Sequence, residues 1–495
     1  MTLKFKTDPD TIYPYTYDSS NLKGSAELLF IPENSDELNN ALLYCYNEEI
    51  KITISGAGTG ITGARVPNGG AVISMEKFKN INLLDNNRVQ VGSSVTLDEL
   101  DKFLAEHNLF LPPNPTEINA SIGGNTANNA SGARTFKYGP IRRWITGLKV
   151  VLPNGDRIKL KRGEIFAENY KLSIPTKNGS IYSVNLPTYT MPDVKNASGY
   201  FTGSNIDAID LFIGSEGTLC VFEEIELEVL PRPENIIGGI VFFDDNYRLL
   251  DFVTELRSLS RLNFAISIKK NDNLCARLIE YFDRKSLDLL SPKYPEIPSE
   301  SIGAIWFEQE YYLDYEEVLM TKWYEFISKF TTLADETWFA VSDKDHLKLK
   351  EFRHELPLQV YENLANNSQK KVGLDSAVPD GDFPILYNHY LDQFADIDLE
   401  YVVFGHIGNC HLHANIFCRN DEEYAFARKL YDESIDLALS FGGTVSAEHG
   451  IGKLKKPYLI KMLGQNAIDE MIEVKKVFDD KLLLNIGTMF DLQTL

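Results

Sequence analysis

The sequence predicts an α+β protein of more than one domain, on three observations. The chain has 495 residues, too many for one small hydrophobic core. Short β-patterned runs alternate with segments of helical period, and the pattern is interrupted by a Pro-Arg-Pro at residues 231–233. Glycine-rich stretches cluster before that point, whereas four of the eight histidines fall in two short segments beyond residue 400.

Hydrophobic content of 43% and charged content of 24% are those of an ordinary globular chain. The formal net charge of −22 argues against nucleic acid or an anionic membrane as partner, since both need a basic face. An anionic small molecule would then need a locally basic pocket. The five cysteines are scattered without a CxxC pair or an iron–sulfur run, so neither a disulfide framework nor a cluster is expected. The opening residues lack an apolar core of signal-peptide length, and no stretch has the length and apolarity of a bilayer span. A cytoplasmic location is expected, peripheral to a membrane at most through a partner.

Taken in order, residues 26–31 read as a strand. Asn34 or Ser35 then caps a helix over residues 36–46, with Leu38, Ala41, Leu42 and Cys45 on one face. Residues 51–55 form a second strand and residues 71–75 a third. Between them lies Gly56-Ala57-Gly58-Thr59-Gly60-Ile61-Thr62-Gly63. Gly58, Gly60 and Gly63 match GxGxxG, but Pro67 and a diglycine follow where a Rossmann fold requires a helix. The glycines therefore sit in a loop between strands, where backbone N–H groups can still face a phosphate. A second glycine- and asparagine-rich stretch runs from Pro112 through residues 120–134 to Tyr138-Gly139, and the small residues of its middle let a flat or extended ligand approach the backbone. A third, residues 211–222, reads as apolar strand material around a Gly214-Ser215-Glu216-Gly217-Thr218 turn, leading into a strand over 226–230. Beyond the boundary, strands are expected over 236–243, 264–269, 302–309 and 401–404, and helices over 246–259, 316–330 and 422–440. This gives a mainly antiparallel sheet with helices on one face.

The histidine segments are Gly405-His406-Ile407-Gly408-Asn409-Cys410-His411-Leu412-His413 and Ala447-Glu448-His449-Gly450-Ile451-Gly452. Neutral imidazoles with a carboxylate suit a borderline divalent metal such as zinc or manganese. A histidine left over beside them is a candidate proton acceptor. If residues 412–417 form a strand, His411, His413 and Asn415 share a face. His406 then joins His413 only if the chain turns between them, which Gly405 and Gly408 permit.

These motifs, in this order, resemble the FAD-linked D-2-hydroxyacid dehydrogenases of the vanillyl-alcohol-oxidase superfamily, a branch that includes D-lactate dehydrogenases, the glycolate oxidase catalytic subunit and D-2-hydroxyglutarate dehydrogenase. The resemblance runs from about residue 20 to Gly487. It implies a two-subdomain FAD-binding domain over 1–232, an α+β substrate (cap) domain with an antiparallel sheet over 233–440, and a segment over 441–495 packing back on the FAD domain. It implies noncovalent FAD, because the first glycine loop lacks the histidine often used for covalent attachment. Gly56, Ala57, Gly58, Thr59, Gly60, Thr62, Gly63, Ser121, Gly123, Gly124 and Asn125 would hold the pyrophosphate. Pro115, Asn128, Ser131, Gly132, Glu216, Gly217 and Val221 would complete the cofactor site.

The same resemblance makes His406, His413 and Glu448 metal ligands, His449 the base, and Asn415 a substrate contact. The metal would polarise the substrate hydroxyl, His449 would take its proton, and the Cα hydride would pass to flavin N5, giving a 2-oxo acid. The chain departs from the family at Gly408-Asn409-Cys410-His411-Leu412-His413, where Gly-Asp-Gly-Asn-Leu-His is usual. The departure removes an acid and adds His411 as an extra ligand, proton acceptor or substrate contact. Arg353 matches the family's arginine-bearing helix and would clamp a carboxylate. Pro357 stands where a Thr or Ser is common, and Gly373 where a lysine is common before Asp375-Ser376-Ala377-Val378-Pro379. Lys370 and Lys371 are near, but would need a rearranged loop to replace that lysine.

The expected activity is oxidation of a D-2-hydroxy acid, lactate-sized substrates favoured. The alternatives are glycolate or D-2-hydroxyglutarate dehydrogenation, a non-oxidative flavin enzyme of the alkylglycerone-phosphate synthase kind, and a non-catalytic flavoprotein subunit. Quinone, cytochrome, electron-transfer flavoprotein and an iron–sulfur subunit are all open as electron acceptor, and a homodimer is compatible with the sequence.

Overall fold

The structure is a computed structural model that describes residues 3–266, 272–395 and 397–492. Strands β1 (Leu28–Phe30), β2 (Ile52–Ser55) and β3 (Ala71–Ser74) form a parallel sheet in the order β1-β3-β2. The helix Ser35–Asn47 between β1 and β2 is capped by Asn34 and buries Leu38, Ala41, Leu42 and Cys45. No helix follows the first glycine loop, which runs directly from β2 towards β3. The expectation of a non-Rossmann loop therefore agrees with the structure.

Five antiparallel strands form the second sheet: β4 (Ile81–Asp85), β5 (Arg88–Gly92), β6 (Ile145–Val151), β7 (Arg157–Lys161) and β8 (Val221–Glu228), in the order β4-β5-β8-β6-β7. Two segments differ from the sequence expectation. Ile122–Ala127 is a short helix capped by Ser121 Oγ, which accepts from Gly124 N at 3.2 Å. Ala208–Phe212 is helical rather than extended, because Asp207 caps it through Ile209 N. The chain leaves that helix through Gly214 and Gly217, both at positive φ, and enters β8.

Beyond residue 232 a seven-stranded sheet has the order β12-β9-β11-β10-β14-β15-β13, every pair antiparallel. Its strands are β9 (Asn235–Phe243), β10 (Leu278–Asp283), β11 (Gly303–Tyr311), β12 (Trp338–Ala340), β13 (Lys370–Gly373), β14 (Glu400–Gly405) and β15 (His413–Cys418). Helices lie on both faces, not one. Ile237, Val241 and Phe243 of β9 pack in the core that takes in Phe252 and Trp323. Ile240 and Phe242 pack on the other side, with Leu287, Leu349 and Phe352. An alternating strand that is apolar at every position needs cover on both faces. The strand expected over 264–269 falls partly outside the described residues, and residues 264–266 form a turn after the helix Asn246–Asn263.

The C-terminal segment returns to the first sheet. Ile52 N donates to Leu483 O at 2.8 Å and Asn485 N to Ile52 O at 2.7 Å. Lys453 N reaches Thr62 O at 2.8 Å. Among the described residues no helix is long and apolar enough to cross a membrane.

Candidate active site

A cavity of about 860 Å³ runs from the glycine loops of the first part to the histidines of the last strands. Gly56 to Gly60, Thr62, Pro115, Ser121, Gly123, Gly124, Asn125, Asn128, Ser131, Glu216 and Gly217 line it. Asn125 Nδ2 and Ser93 Oγ, both on its wall, are buried without a hydrogen-bond partner. A Cβ added at Gly56 would stand 2.9 Å from Ser121 Oγ, so only a bare backbone fits between the two loops. Size, open donors and closely approaching backbone fit a dinucleotide cofactor such as FAD.

Three of the expected cofactor residues are not on the wall. Gly63, at φ 81°, packs on Leu22, with 2.6 Å between an added Cβ and Leu22 Cδ1. Gly132 sits against the Asn114 backbone. Val221 opens β8 and is buried in the apolar core around Leu42 and Ile73. Glu216 lines the cavity, but its carboxylate accepts Ile451 N and Gly452 N, each at 2.6 Å, and so anchors the loop that carries His449. Burial pushes this carboxyl up to about 7, against the two N–H bonds.

The histidines converge through a hairpin. β14 and β15 pair with Phe404 opposite His413. Gly405, at φ 122°, turns the chain, and a Cβ there would stand 2.8 Å from His413 Cδ2. Cys410 takes the left-handed conformation at φ 54°, where the family usually has glycine. His406 Nε2 is 3.1 Å from Glu448 Oε2, and His413 Nε2 is 3.1 Å from Glu448 Oε1. Ligands about 2.0–2.1 Å from one tetrahedral metal stand roughly 3.3 Å apart, so two nitrogens and a carboxylate at these spacings fit a divalent ion.

Neighbouring groups fix each ligand. The fully buried Glu280 of β10 lies 2.6 Å from His406 Nδ1, which makes Nε2 the ring nitrogen directed at Glu448. Burial alone would raise the Glu280 carboxyl, but His406 and Arg353 bring it down to about 2. Burial holds His413 at about 4, so its imidazole is neutral near pH 7. Lys195 Nζ donates to Glu448 Oε2 at 2.5 Å and lies 3.2 Å from His411 Nδ1.

His411 does not reach the cavity wall. It is fully buried, and burial followed by the Lys195 charge drives it well below the usual imidazole range. Its Nε2 lies 2.9 Å from Asp375 Oδ1, out of line for a hydrogen bond. His411 thus stands between Lys195 and Asp375 and, with His406, His413 and Glu448, belongs to a group whose ligand atoms lie within 4.8 Å of one another and could hold a metal. Cys410 Sγ points to Asp380 Oδ1 at 3.2 Å, away from the cluster.

His449 is the most exposed imidazole of the group, with 29% of its side chain accessible, and it lines the cavity. Its Nδ1 lies 3.0 Å from Asp375 Oδ2 and its Nε2 3.5 Å from Glu448 Oε1, so the ring stands between the two carboxylates. Asp375 is held well below the carboxylate range: burial opposes this, but His449 and Lys455 outweigh it. Asn415 and Arg353 both line the same space. Arg353 donates from Nε to Glu280 Oε2 at 3.0 Å, while its buried Nη1 has no partner.

Glu280, Lys195 and Asp375 had no assigned role from sequence. The one available signal was Glu280 itself, a lone acid in the apolar run Leu278-Ile279-Glu280-Tyr281-Phe282, which burial obliges to find cations or donors.

Comparisons with known proteins identify the two parts of the chain. Residues 26–161 match the FAD binding domain model, and residues 263–489 match the model for the C-terminal domain of FAD linked oxidases. The chain is 28% identical to a D-lactate dehydrogenase of Anaerostipes hadrus, covering 96% of this chain and 92% of that protein. It is 26% identical to the glycolate oxidase subunit GlcD of Bacillus subtilis, with the same coverage of 96% and 92%. A D-2-hydroxyglutarate dehydrogenase of Xanthomonas citri pv. viticola is 26% identical over 99% of this chain and 94% of its own. Among solved structures, alkyldihydroxyacetonephosphate synthase superposes with a TM-score of 0.67 at 17% identity, covering 97% of this chain and 81% of that one, which shows a common fold. The molecule is thus a flavoprotein oxidoreductase with the vanillyl-alcohol-oxidase fold. It belongs to the FAD-linked D-2-hydroxyacid dehydrogenase family.

Proposed function

We propose that this protein oxidises a D-2-hydroxy acid to the 2-oxo acid with FAD and a divalent metal, zinc or manganese. The observation that carries the reading is the convergence of His406, His413 and Glu448 beside a cavity-facing His449 backed by Asp375. In this reading residues 1–232 hold FAD, 233–440 cover the substrate, and 441–495 bring Glu448 and His449 back to both.

FAD, held by the glycine loops, supplies a two-electron acceptor, and the metal supplies polarisation of the substrate hydroxyl. The chain's own residues do the rest. The free Nη1 of Arg353 and the amide of Asn415 bind the substrate carboxylate and set the hydroxyl carbon beside the flavin space. His449 Nε2 takes the hydroxyl proton, and Asp375 holds the ring in the tautomer that can accept it. Lys195 offsets the Glu448 charge and, through His411, ties the ligand side of the site to the base side.

The test is anaerobic flavin bleaching with D- and L-acids in separate cuvettes. Bleaching by a D-acid and not by its L-form is expected, and His449→Asn is expected to slow it about 10²–10⁴-fold with FAD retained. Bleaching by neither form, with metal supplied, would overturn the reading in favour of a non-catalytic subunit.

A further inference from the structure

A second cavity, of about 300 Å³, adjoins the candidate metal ligands. Three distant parts of the chain wall it: residues 129–142, residues 191–201, and Asn409 and Ala447 from the two histidine segments. Ser131 lines both this cavity and the larger one. Its hydroxyl donates to Glu448 Oε2 at 3.3 Å, the same oxygen that Lys195 holds. The Lys195 side chain, only 3% exposed, lines the second cavity as well. One buried ammonium thus stands between that space and a metal ligand.

The wall carries cations and no acid. Arg142 and Lys195 line it, whereas among the described residues no aspartate or glutamate does, in a chain with 71 acids. Arg142 gives Nη1 to the backbone and carboxylate of Asp210 and Nη2 to Ile213 O, and its guanidinium lies over the Phe201 ring at 4.3 Å. Its Nε is buried without a hydrogen-bond partner, and so is Asn409 Oδ1 on the same wall. A buried donor and a buried acceptor left unpaired are unfavourable until a ligand answers both. Asn409 stands where the family pattern has an aspartate, whose charge would repel an anion from this space. Met191, Val194 and Phe201 add apolar surface suited to a short carbon skeleton.

We propose that the second cavity binds a small hydroxy-carboxylate at a site separate from the site of oxidation. Its carboxylate accepts from Arg142 Nε, and its hydroxyl donates to Asn409 Oδ1. Lys195 couples this site to the metal. A metal on Glu448 displaces the ammonium, which then turns to the anion, so each ligand strengthens the binding of the other. The coupling, unlike the binding, rests on the metal reading above.

The experiment uses FAD-loaded protein with 13C-labelled methionine methyl groups and follows the Met191 signal by NMR, assigned by its loss in Met191→Leu. L-lactate is the probe, and propionate, which lacks the hydroxyl, is the comparison. L-lactate should shift the Met191 signal saturably, and propionate should bind several-fold more weakly. Asn409→Asp, which places a like charge opposite the carboxylate, should weaken L-lactate about tenfold or more. Val194→Trp, which fills the cavity, should abolish the shift, while the other methionine signals report that the fold is intact. Zinc should tighten L-lactate binding about fivefold or more, and Lys195→Met should remove that dependence. A Met191 signal that L-lactate does not move, even where the flavin spectrum responds, would overturn the site. So would a shift that survives unchanged in Asn409→Asp. Equal binding with and without zinc would sustain the site and overturn the coupling.

Discussion

Glu280 is buried on β10 with a histidine on one carboxylate oxygen and an arginine on the other. Those two contacts hold the His406 ring and Arg353 Nε, and leave the buried Arg353 Nη1 without a partner. Replacing it by glutamine removes the charge that holds both. Glu280→Gln is expected to lower metal affinity about 10–100-fold, measured by competition with a chromophoric chelator. Unchanged affinity would show that His406 needs no such orientation. The histidines themselves were legible in the sequence because the chain uses so few of them and sets four in two short segments. Their supports were not: Glu280 lies 126 residues from His406, and Lys195 lies 253 from Glu448. Chain distances of that size carry no local pattern. His411 stands beside His413, with ring centroids 4.6 Å apart, although β15 begins only at His413 and His411 itself bridges Ala377.

At the level of elements, the site depends on a tight hairpin and on the strands beside it. The β14–β15 turn was foreseeable from Gly405 and Gly408, since without a turn His406 and His413 would face opposite ways. Cover on both faces of the large sheet differs from the one-sided expectation, although a run such as residues 236–243, apolar on both of its faces, calls for it. The element scale also supplies a pH test away from the metal ligands. Asp283 ends β10 and caps the helix Arg284–Leu290 through Ser286 N at 2.7 Å. Burial pushes its carboxyl up to about 7, against the bonds from Ser286. Between about pH 4 and pH 7 the folded chain therefore keeps a proton that the unfolded chain has released, and this group's contribution to stability falls as pH rises through that window. Asp283→Asn keeps a cap acceptor and cannot ionise. Its Tm should gain on that of the wild type as pH is raised from 4.5 to 7.5, by scanning calorimetry. A difference that stays constant with pH would contradict the shift.

Over the whole molecule, three stretches far apart in sequence meet around one cavity: the glycine loops, the cap-sheet hairpin and the returning C-terminal segment. The FAD-binding part and the antiparallel second part were legible from the order of motifs and from hydrophobic period. The choice of substrate was not, because it depends on which side chains from distant stretches meet at the cavity wall and not on any local pattern. In a molecule of this negative charge, cations on the cavity wall such as Arg353 and Lys371 are what an anionic ligand would meet. The central claim is that the His406–His413–Glu448 cluster is a working metal centre coupled to the flavin. Its most direct test measures anaerobic flavin bleaching by a D-2-hydroxy acid on one preparation before chelation, after chelation, and after zinc or manganese is restored, with metal and FAD content assayed at each stage. Bleaching that disappears with the metal while FAD stays bound, and returns with the metal, is the predicted result. Bleaching at the same rate in metal-free protein would contradict it.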